Sequence, residues 1–330
     1  MEVSAQNLTT LFTGFDMIFQ KGFEAAPSYY EKICSIVPSS TSQTIYPWLG
    51  RTTGFREWVG DRVMQTLEAH TYTIVNKTFE DTISLERERI EDDQYGVYAP
   101  AVELLGWDAK THPDQLVFGM MKAAVTGAPV TIGKITVPVP TCYDGLNLYA
   151  AAHPAGLAGE ASSSATYSNV NSTGTGAWWF LVDGARPIKP FIFQKRREYA
   201  VSRMNTVTDE AVFSQRLFRY GVDVRCNAGV GLWQLTYAAN TDLSNPANYG
   251  AAVAALRSIK SDAGVPFGAW NGPPTTRFLV VPPSLEEVAR QLLHATFGAG
   301  TTGGAGAIST IPMANIYLND ATLIVSEWLS

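Results

Sequence analysis

A long helical pattern in the middle of the chain most constrains its fold. Residues 98–124 place apolar side chains at helical spacing, among them Leu104, Leu116 and Met120, which predicts a helix. At about 1.5 Å per residue this helix would be a rod of roughly 40 Å. We expect the rest of the chain to be organised around it.

Two prolines bear on this predicted helix. Pro100 fits the first turn, where the backbone needs no intrahelical donor. Pro113 lies inside the pattern. We therefore expect it either to kink the helix near Ala109 or to divide it in two, with Thr111 capping the second helix.

A strand and an acidic segment precede the helix. Phe79, Ile83 and Leu85 alternate with polar neighbours, which is roughly the period of a half-buried strand. The acidic stretch 91–93 follows, at a place where the N-terminal dipole of the helix favours negative charge. We interpret these carboxylates as helix-end charges.

Residues 54–77 predict a long β-hairpin. Apolar residues occur on an outgoing limb as far as Leu67 and on a return limb from Tyr72, with the tip near residues 68–70. Ten residues of strand extend about 33 Å, and a lone two-stranded ribbon is only marginally stable in water. A projecting ribbon must therefore be held by something outside its own domain.

The N-terminal segment predicts a helix that begins at Thr9 or Thr10 and runs to about Glu24. Its apolar stripe either faces the core of its own chain or belongs to an arm that packs on another subunit, and the first is the commoner arrangement. The stripe consists of Leu11, Phe12, Phe15, Ile18, Phe19 and Phe23.

Strands and helices alternate irregularly along the chain, which favours an α+β class over a regular parallel βαβ series. Residues 155–176 are rich in Gly, Ser, Thr and Asn, which predicts a mobile surface loop. The other predicted elements are short strands in 127–140, a turn at 142–145, strands within 186–237 that include 212–224, helices at 248–261 and 285–297, a buried strand at 278–281, a flexible segment at 298–306, and final strands at 316–318 and 322–329.

Composition excludes several classes of protein. The chain has 330 residues, of which 46% are hydrophobic and 16% charged, and this suits a packed globular protein. Its formal net charge of −6 argues against a dedicated nucleic-acid binder. Cys34, Cys142 and Cys226 are far apart, so we expect no disulfide framework. The sequence contains neither a secretory signal nor a run of about 18 apolar residues.

Motifs for catalysis or cofactor binding are weak. The GxGxxG match at residues 298–303 follows a predicted helix instead of opening one, so we expect no nucleotide site there. The four histidines are scattered singly, without the spacing of a zinc site. Two hypotheses lack support from spacing: Cys142 as a nucleophile with His153 as its base, and a carboxylate pair such as Asp92 with Asp144. We therefore expect no catalytic residue, no cofactor and no metal.

Basic residues cluster in the predicted strands after residue 190. Side chains on a strand alternate between its two faces, so these residues need not form one patch. The plain interpretation is salt bridges on a solvated face, and the functional alternative is contact with partner carboxylates or with a phosphate backbone. The cluster consists of Lys195, Arg196, Arg197, Arg203, Arg216, Arg219 and Arg225.

Several segments, taken together in chain order, resemble a known family. The sequence is similar to the Mu-like phage major head subunits, which are capsid proteins of the HK97-like fold. The resemblance runs through nearly the whole chain, except for residues 128–140, which look like extra sequence, and the part from Gly298 onward. The matching segments are LFTGFDMIFQKGFEAAPSYY (11–30), WLGRTTGFREWVGDR (48–62), YTIVNKTFEDTISLERERIEDD (72–93), HPDQLVFGMMKA (112–123), CYDG (142–145), IKPFIFQKR (188–196), YGVDVRCNAGVGLWQL (220–235) and FLVVPPSLEEVARQLL (278–293).

This resemblance implies an α+β, HK97-like capsid fold and a structural function, not an enzymatic one. The chain would be a major capsid protein that self-assembles into pentamers and hexamers of an icosahedral head, which encloses phage double-stranded DNA. The implied parts are an N-terminal arm at 1–52, an extended hairpin loop at 53–80, a mainly peripheral domain at 81–240 with a spine helix at about 98–124 and a flexible loop at 155–177, and a mainly axial domain at 241–330.

The resemblance also implies partners and contacts. The partners would be further copies of the chain, a separate scaffold and protease, a portal, a decoration protein, and packaged DNA held by non-specific contact, with no membrane. Virions would be assembled in the cytoplasm of a bacterial host. An encapsulin-like nanocompartment shell is the first alternative, and a soluble hydrolase with a carboxylate pair is the weaker one. The expected inter-subunit contacts are Phe12, Phe15, Phe19, Trp58, Arg62, His70, Tyr72 and Lys77.

Overall fold

The computed structural model describes residues 4–46, 72–92, 95–154, 166–206, 208–260, 265–302 and 309–330. The helices in these ranges are α1 (Ala5–Ala25), α2 (Tyr30–Ile33), α3 (Arg87–Glu91), α4 (Ala99–Thr126), α5 (Glu210–Gln215), α6 (Pro246–Ser258) and α7 (Glu286–His294). The strands are β1 (Cys34–Pro38), β2 (Gln43–Ile45), β3 (Thr73–Val75), β4 (Lys77–Glu86), β5 (Val130–Ile132), β6 (Ile135–Val137), β7 (His153–Pro154), β8 (Thr166–Tyr167), β9 (Val170–Asn171), β10 (Trp179–Asp183), β11 (Phe191–Met204), β12 (Leu217–Val230), β13 (Thr236–Ala239), β14 (Arg277–Val281), β15 (Phe297–Thr302), β16 (Ser309–Ala314) and β17 (Thr322–Val325).

Helices α1 and α4 pack together on a four-stranded sheet. Its strand order is β1-β11-β12-β4, with β1 parallel to β11 and the other neighbours antiparallel. Phe12 of α1, Leu105 of α4 and Phe218 of β12 are buried in one apolar cluster. The two helices therefore cover one face of the sheet, and the alternate side chains of β12 face the other way.

A glycine on each helix allows α1 and α4 to approach closely. A Cβ atom added at Gly22 would lie 2.1 Å from the carbonyl oxygen of Glu103, and one added at Gly106 would lie 2.2 Å from that of Phe19. No side chain fits at such distances from backbone, so this helix separation requires glycine at both positions. The two glycines thus seat α1 against the core of its own chain.

A five-stranded sheet forms the second half of the fold. Its order is β17-β14-β10-β13-β9, in which β10 is antiparallel to β13 and β14 and β14 is parallel to β17. Leu256 of α6 and Leu293 of α7 are buried in a cluster with this sheet. Val117 and Met121 of α4 belong to the same cluster, so one core continues through α4 from the first sheet to the second.

The predicted long helix is confirmed as α4, and its division at Pro113 is wrong. The helix runs from Ala99 to Thr126 through Pro113, and the Thr111 hydroxyl donates to the carbonyl of Trp107 at 3.2 Å instead of capping a second helix. One proline removes only one backbone donor, and the buried turns around it hold the helix in place. Gly127, with φ 67°, ends it in the left-handed region.

The start of α1 also differs from the prediction. Ser4 caps the helix, because its hydroxyl oxygen accepts from the backbone N–H of Asn7 at 3.3 Å. The hydroxyls of Thr9 and Thr10 donate to the carbonyls of Ala5 and Gln6 within the helix. A threonine on a helix face can satisfy itself in this way, so its presence did not mark the cap.

Three further elements correct the predictions. Part of the predicted strand 212–224 belongs to α5, where Val212 turns into the core. Residues 316–318 form a turn and not a strand. Residues 298–302, predicted as flexible, pair with β16 in a hairpin, while 303–308 lie outside the described residues. Backbone pairing needs no apolar alternation, so this hairpin left no clear pattern in a glycine-rich segment.

Sheet membership crosses the expected domain boundaries. Strands β9, β10 and β13 lie within 81–240 but belong to the five-stranded sheet, and β1, within the expected arm, pairs with β11. The end of the expected loop 155–177 includes β8 and β9. None of the helices in the described part of the chain has the length and apolar character of a membrane span.

Candidate interaction surfaces

The described segments on either side of residues 47–71 form a small two-stranded sheet. Strands β2 and β3 pair antiparallel, with Thr44 opposite Ile74, and the backbone N–H of Tyr46 donates to the carbonyl of Tyr72 at 2.9 Å. We call residues 42–46 and 72–76 the ribbon root. The expected outgoing limb and tip lie in 47–71, outside the described residues, and the described return limb pairs with β2.

A buried amide holds the ribbon root on the first sheet. Gln194 of β11 is 0% exposed, and its Oε1 accepts from the Tyr46 hydroxyl at 2.8 Å. Its Nε2 donates to the carbonyl of Ile74 at 3.2 Å and to Oδ1 of Asn76 at 2.8 Å. One side chain therefore bonds to both strands of the root. Burial raises the pKa of Tyr46 to about 12, so its hydroxyl remains a donor well into the alkaline range.

Further contacts hold the return strand to β12. The backbone N–H of Val230 donates to the Tyr72 hydroxyl at 2.7 Å, and Nδ2 of Asn227 donates to the carbonyl of Val75 at 2.7 Å. A Cβ atom at Gly229 would lie 2.4 Å from Cδ1 of Ile74, so glycine there leaves room for that side chain. These contacts fix the direction in which the chain leaves the sheet at the root.

The outer face of the root carries exposed apolar side chains. Ile45 is 51% exposed and Val75 is 53% exposed, and the register places both on the side opposite the buried Ile74. A groove of about 590 Å³ lies between the root, α4, and β6 with the segment that follows it. The root therefore presents uncovered apolar surface beside its buried polar contacts.

The expected contact residues fall into three groups. Tyr72 is half-buried and fastens the root to its own chain, whereas Lys77 is exposed at the start of β4. Trp58, Arg62 and His70 lie outside the described residues. Phe12, Phe15 and Phe19 are buried in their own chain, which corrects the contacts expected of them.

The three phenylalanines of α1 face the core of their own chain. Phe12 is 0%, Phe15 2% and Phe19 7% exposed, and rings of α1 pack on Tyr220 of β12. The core-facing alternative is therefore the one observed. The glycine contacts seat α1 close against α4, and the rings are covered by their own chain. In this arrangement they have no surface for another subunit.

The basic cluster is mostly paired within the chain, as the plain interpretation predicts. Arg225 is an exception, because its buried Nε has no partner among the described residues. The side-chain pairs are Lys195 with Glu198, Arg197 with Asp223, Arg203 with Asp16, Arg216 with Glu88, and Arg219 with Gln215.

The structure gives no support to the Cys142–His153 hypothesis. Nδ1 of His153 lies 2.6 Å from Oδ2 of Asp144, and its Nε2 lies 3.3 Å from the carbonyl of Leu148. Its ring also stacks on Trp233, with centroids 4.0 Å apart. Burial raises the pKa of the Cys142 thiol well above its usual value, which is the opposite of what a nucleophile needs.

The carboxylate-pair hypothesis gains no support from the structure. Asp144 is engaged by His153 and by the backbone N–H of Leu146 at 3.0 Å, whereas Asp92 is exposed at the end of α3. No group of His, Cys, Asp and Glu side chains within the described ranges is arranged to hold a metal ion.

Sequence reasoning missed Gln194. The signal was present, because Gln194 is the first polar residue after three apolar ones in the run 191–194, all buried in β11. A buried amide must find partners for its donors and acceptor, but the pattern does not say that these partners lie on a ribbon more than one hundred residues earlier.

Comparison with known proteins gives a consistent result. The family model described as "Mu-like prophage major head subunit gpT" matches residues 8–329. The chain is 35% identical to the Mu-like prophage FluMu major head subunit of Haemophilus influenzae, covering 88% of this chain and 90% of that one. It is 36% identical to the major capsid protein of Escherichia phage Mu, covering 92% and 94%.

Solved structures agree with the sequence relatives. A chain from the procapsid of bacteriophage JBD30 superposes with a TM-score of 0.76 at 32% identity, covering 99% of this chain and 100% of that one. A chain from the JBD30 capsid gives a TM-score of 0.68 at 24% identity, covering 94% of each. The second likeness concerns the fold alone.

Proposed function

This chain belongs to the family of Mu-like prophage major head subunits, and from that premise we propose how it builds a head. It is a shell-forming structural subunit with the fold of phage capsid proteins, and its place is the virion. Copies of the chain assemble into pentamers and hexamers, which close into an icosahedral shell around phage double-stranded DNA.

The observation that supports this proposal is the ribbon root. Its own sheet holds it through Gln194, yet Ile45 and Val75 remain about half exposed on its outer face. Such a ribbon gains cover when it lies on a neighbouring subunit. Obligate interfaces of this kind often bury more than about 2,000 Å², and head-to-tail contacts of one type close into rings.

The remaining parts of the proposal concern catalysis and partners. The chain catalyses no reaction, which agrees with the engaged state of His153 and the buried Cys142. A separate scaffold and protease act during assembly, a portal and a decoration protein join the shell, and the net charge of −6 suits loose, non-specific contact with DNA. The nanocompartment alternative is not favoured, because the family model that matches describes head subunits.

Expression of the chain alone, with electron microscopy of the product, tests the proposal. We expect shells, rings or tubes that grow with protein concentration, because the exposed apolar surface of one copy is covered by another. A stable monomer at high concentration in every buffer would count against the proposed function.

A ribbon-less variant tests the part assigned to the ribbon. Since Tyr46 faces Tyr72 in the antiparallel register, an Asn-Gly turn can replace residues 47–71 and close the hairpin as a type I′ turn. We expect this variant to fold with an unchanged thermal midpoint and to form no closed shells. Closed shells from the variant would remove the ribbon from the mechanism. The full-length chain at equal concentration is the control.

A further inference from the structure

Helix α4 carries apolar side chains on two opposite faces of its first half. One face, with Val102, Leu105 and Ala109, is buried against the chain's own core. The other face carries Val97 from the turn before the helix, then Pro100, Leu104 and Trp107. The spacing of three, four and three residues places these four on one side of the helix. We call them the exposed stripe.

The exposed stripe is uncovered in the single chain. Val97 is 63%, Leu104 63% and Trp107 41% exposed, over about 15 Å of helix. A helix that is apolar on opposite faces is normally covered on both, and contiguous apolar surface of this kind marks an interaction site more often than scattered residues do. The second face of α4 is therefore incomplete without a partner.

The outer face of α1, the neighbouring helix, carries no such exposed apolar stripe. Apart from Met17, which is 72% exposed, that face carries polar residues such as Thr13, Gln20 and Glu24. Gln20 and Glu24 bond to each other at 2.7 Å. A single exposed methionine among polar groups needs no partner, so α1 provides a control surface within the same chain.

The charges beside the exposed stripe restrict what can cover it. On one flank Glu103 is paired with Lys21 at 3.0 Å, and Lys110 lies over the ring of Phe23. On the other flank is Asp108, whose pKa is raised by burial and by the charge of Asp81. Two stripes paired antiparallel about a two-fold axis would bring Asp108 of one copy toward Asp108 of the other, at an electrostatic cost. A contact with a different surface of the partner avoids this cost.

We propose that the exposed stripe is the contact site for a second copy of this chain, docked head to tail, with Trp107 at the centre of the contact. The proposal rests on the proposed function, because a shell surrounds each subunit with copies of itself. A head-to-tail contact is also the type that repeats into rings.

Oxidative footprinting with mass spectrometry tests the proposal directly. Hydroxyl radicals are applied to the unassembled chain and to purified particles, and the modification of Trp107 is compared with that of Met17. We expect Trp107 to be protected on assembly and Met17 to react equally in both samples. Trp107 that reacts as readily in particles as in free subunits would overturn the inference.

Substitutions on the exposed stripe provide a second test. Leu104→Gln combined with Trp107→Gln removes apolar surface that the single chain does not bury, so the thermal midpoint should not change. We expect the double variant to lose closed particles and Met17→Gln to retain them. If the wild type and the double variant both form particles, this inference is wrong while the proposed function stands. If neither does, the proposed function itself fails.

Discussion

Replacing Gln194 with methionine should release the ribbon root from the sheet. Methionine keeps the length of the side chain but loses three hydrogen bonds, to Tyr46, Ile74 and Asn76. Each bond contributes about 1 kcal/mol, and buried groups left without a partner add to the loss, so we expect about 3 to 5 kcal/mol in total. The loss should fall on the root, because the apolar core around β11 stays filled.

Amide hydrogen exchange shows which part of the chain loses stability in this variant. A change of about 4 kcal/mol in local opening corresponds to an exchange rate of roughly 10³-fold higher. We expect that acceleration at the amides of Ile74, which is paired with Thr44, and of Asn76, which donates to the carbonyl of Ser42 at 2.9 Å. Val280 of β14, in the other sheet, should exchange as before. Particles from the variant should also be fewer or irregular, because the ribbon no longer leaves the sheet in one direction.

A matched control is Gln291→Met on α7. That amide is exposed, and its one side-chain bond within the described ranges is to Glu287, at 3.2 Å. Its loss should therefore stay within about 0.5 kcal/mol. If Gln194→Met changes exchange at Ile74 by less than tenfold, or changes Val280 equally, the idea of a locally held root is refuted.

Three further predictions concern the single chain. Gly106→Ala should destabilise the chain by about 1 to 3 kcal/mol, because the new Cβ would lie 2.2 Å from the carbonyl oxygen of Phe19. Gly14→Ala, which has open space around it, should stabilise α1 by about 0.5 to 1 kcal/mol. Urea unfolding measures the free energy of both variants. Burial lowers the pKa of His112 to about 4, so the stability that its neutral form provides is lost as the pH falls from about 6.5 to 4. Burial raises the pKa of Asp114 to about 6, so protonation of this carboxyl stabilises the fold as the pH falls below about 6. His112→Gln should therefore reduce the loss of unfolding free energy between pH 7 and 4.5, and Asp114→Asn should increase that loss. Each change should amount to at most about 3 kcal/mol. Finally, all three cysteines are buried with raised pKa values, so a thiol reagent should label the native chain slowly and the urea-unfolded chain fully.

Clear results would contradict each of these. Equal effects of alanine at Gly106 and Gly14 would mean that the helices separate freely. Parallel pH profiles for the His112 and Asp114 variants would mean that burial does not govern these two groups. Rapid labelling of native protein would place a thiol at the surface.

Local patterns were sufficient for the elements whose stability is local. The long helix α4 could be predicted because its apolar spacing repeats over many turns, and the buried strand β14 because its apolar run is flanked by polar and proline residues. Pro113 misled the prediction, because the penalty of one missing donor is small beside the packing on both sides of it. The Ser4 cap was missed because several hydroxyl residues, Ser4, Thr9 and Thr10, competed for that role within two turns.

Contacts between distant segments could not be read from these patterns. Nothing in 191–194 indicates that Gln194 bonds to Asn76, because hydrogen-bond partners are set by where two strands meet in space. The same holds for α1: its apolar stripe favoured a core without excluding a neighbour, and the approach of Gly22 to Glu103 decided for the core.

By itself the sequence determined the class of the fold, the long helix and the apolar faces of the predicted elements. Through its family resemblance it also determined the shell-forming function. Only the tertiary structure decided which of these apolar faces are buried within the chain and which remain exposed. The physical reason is that periodicity specifies which side of an element is apolar, whereas burial depends on whether another element arrives to cover it. It arrives at Phe12 and does not arrive at Trp107.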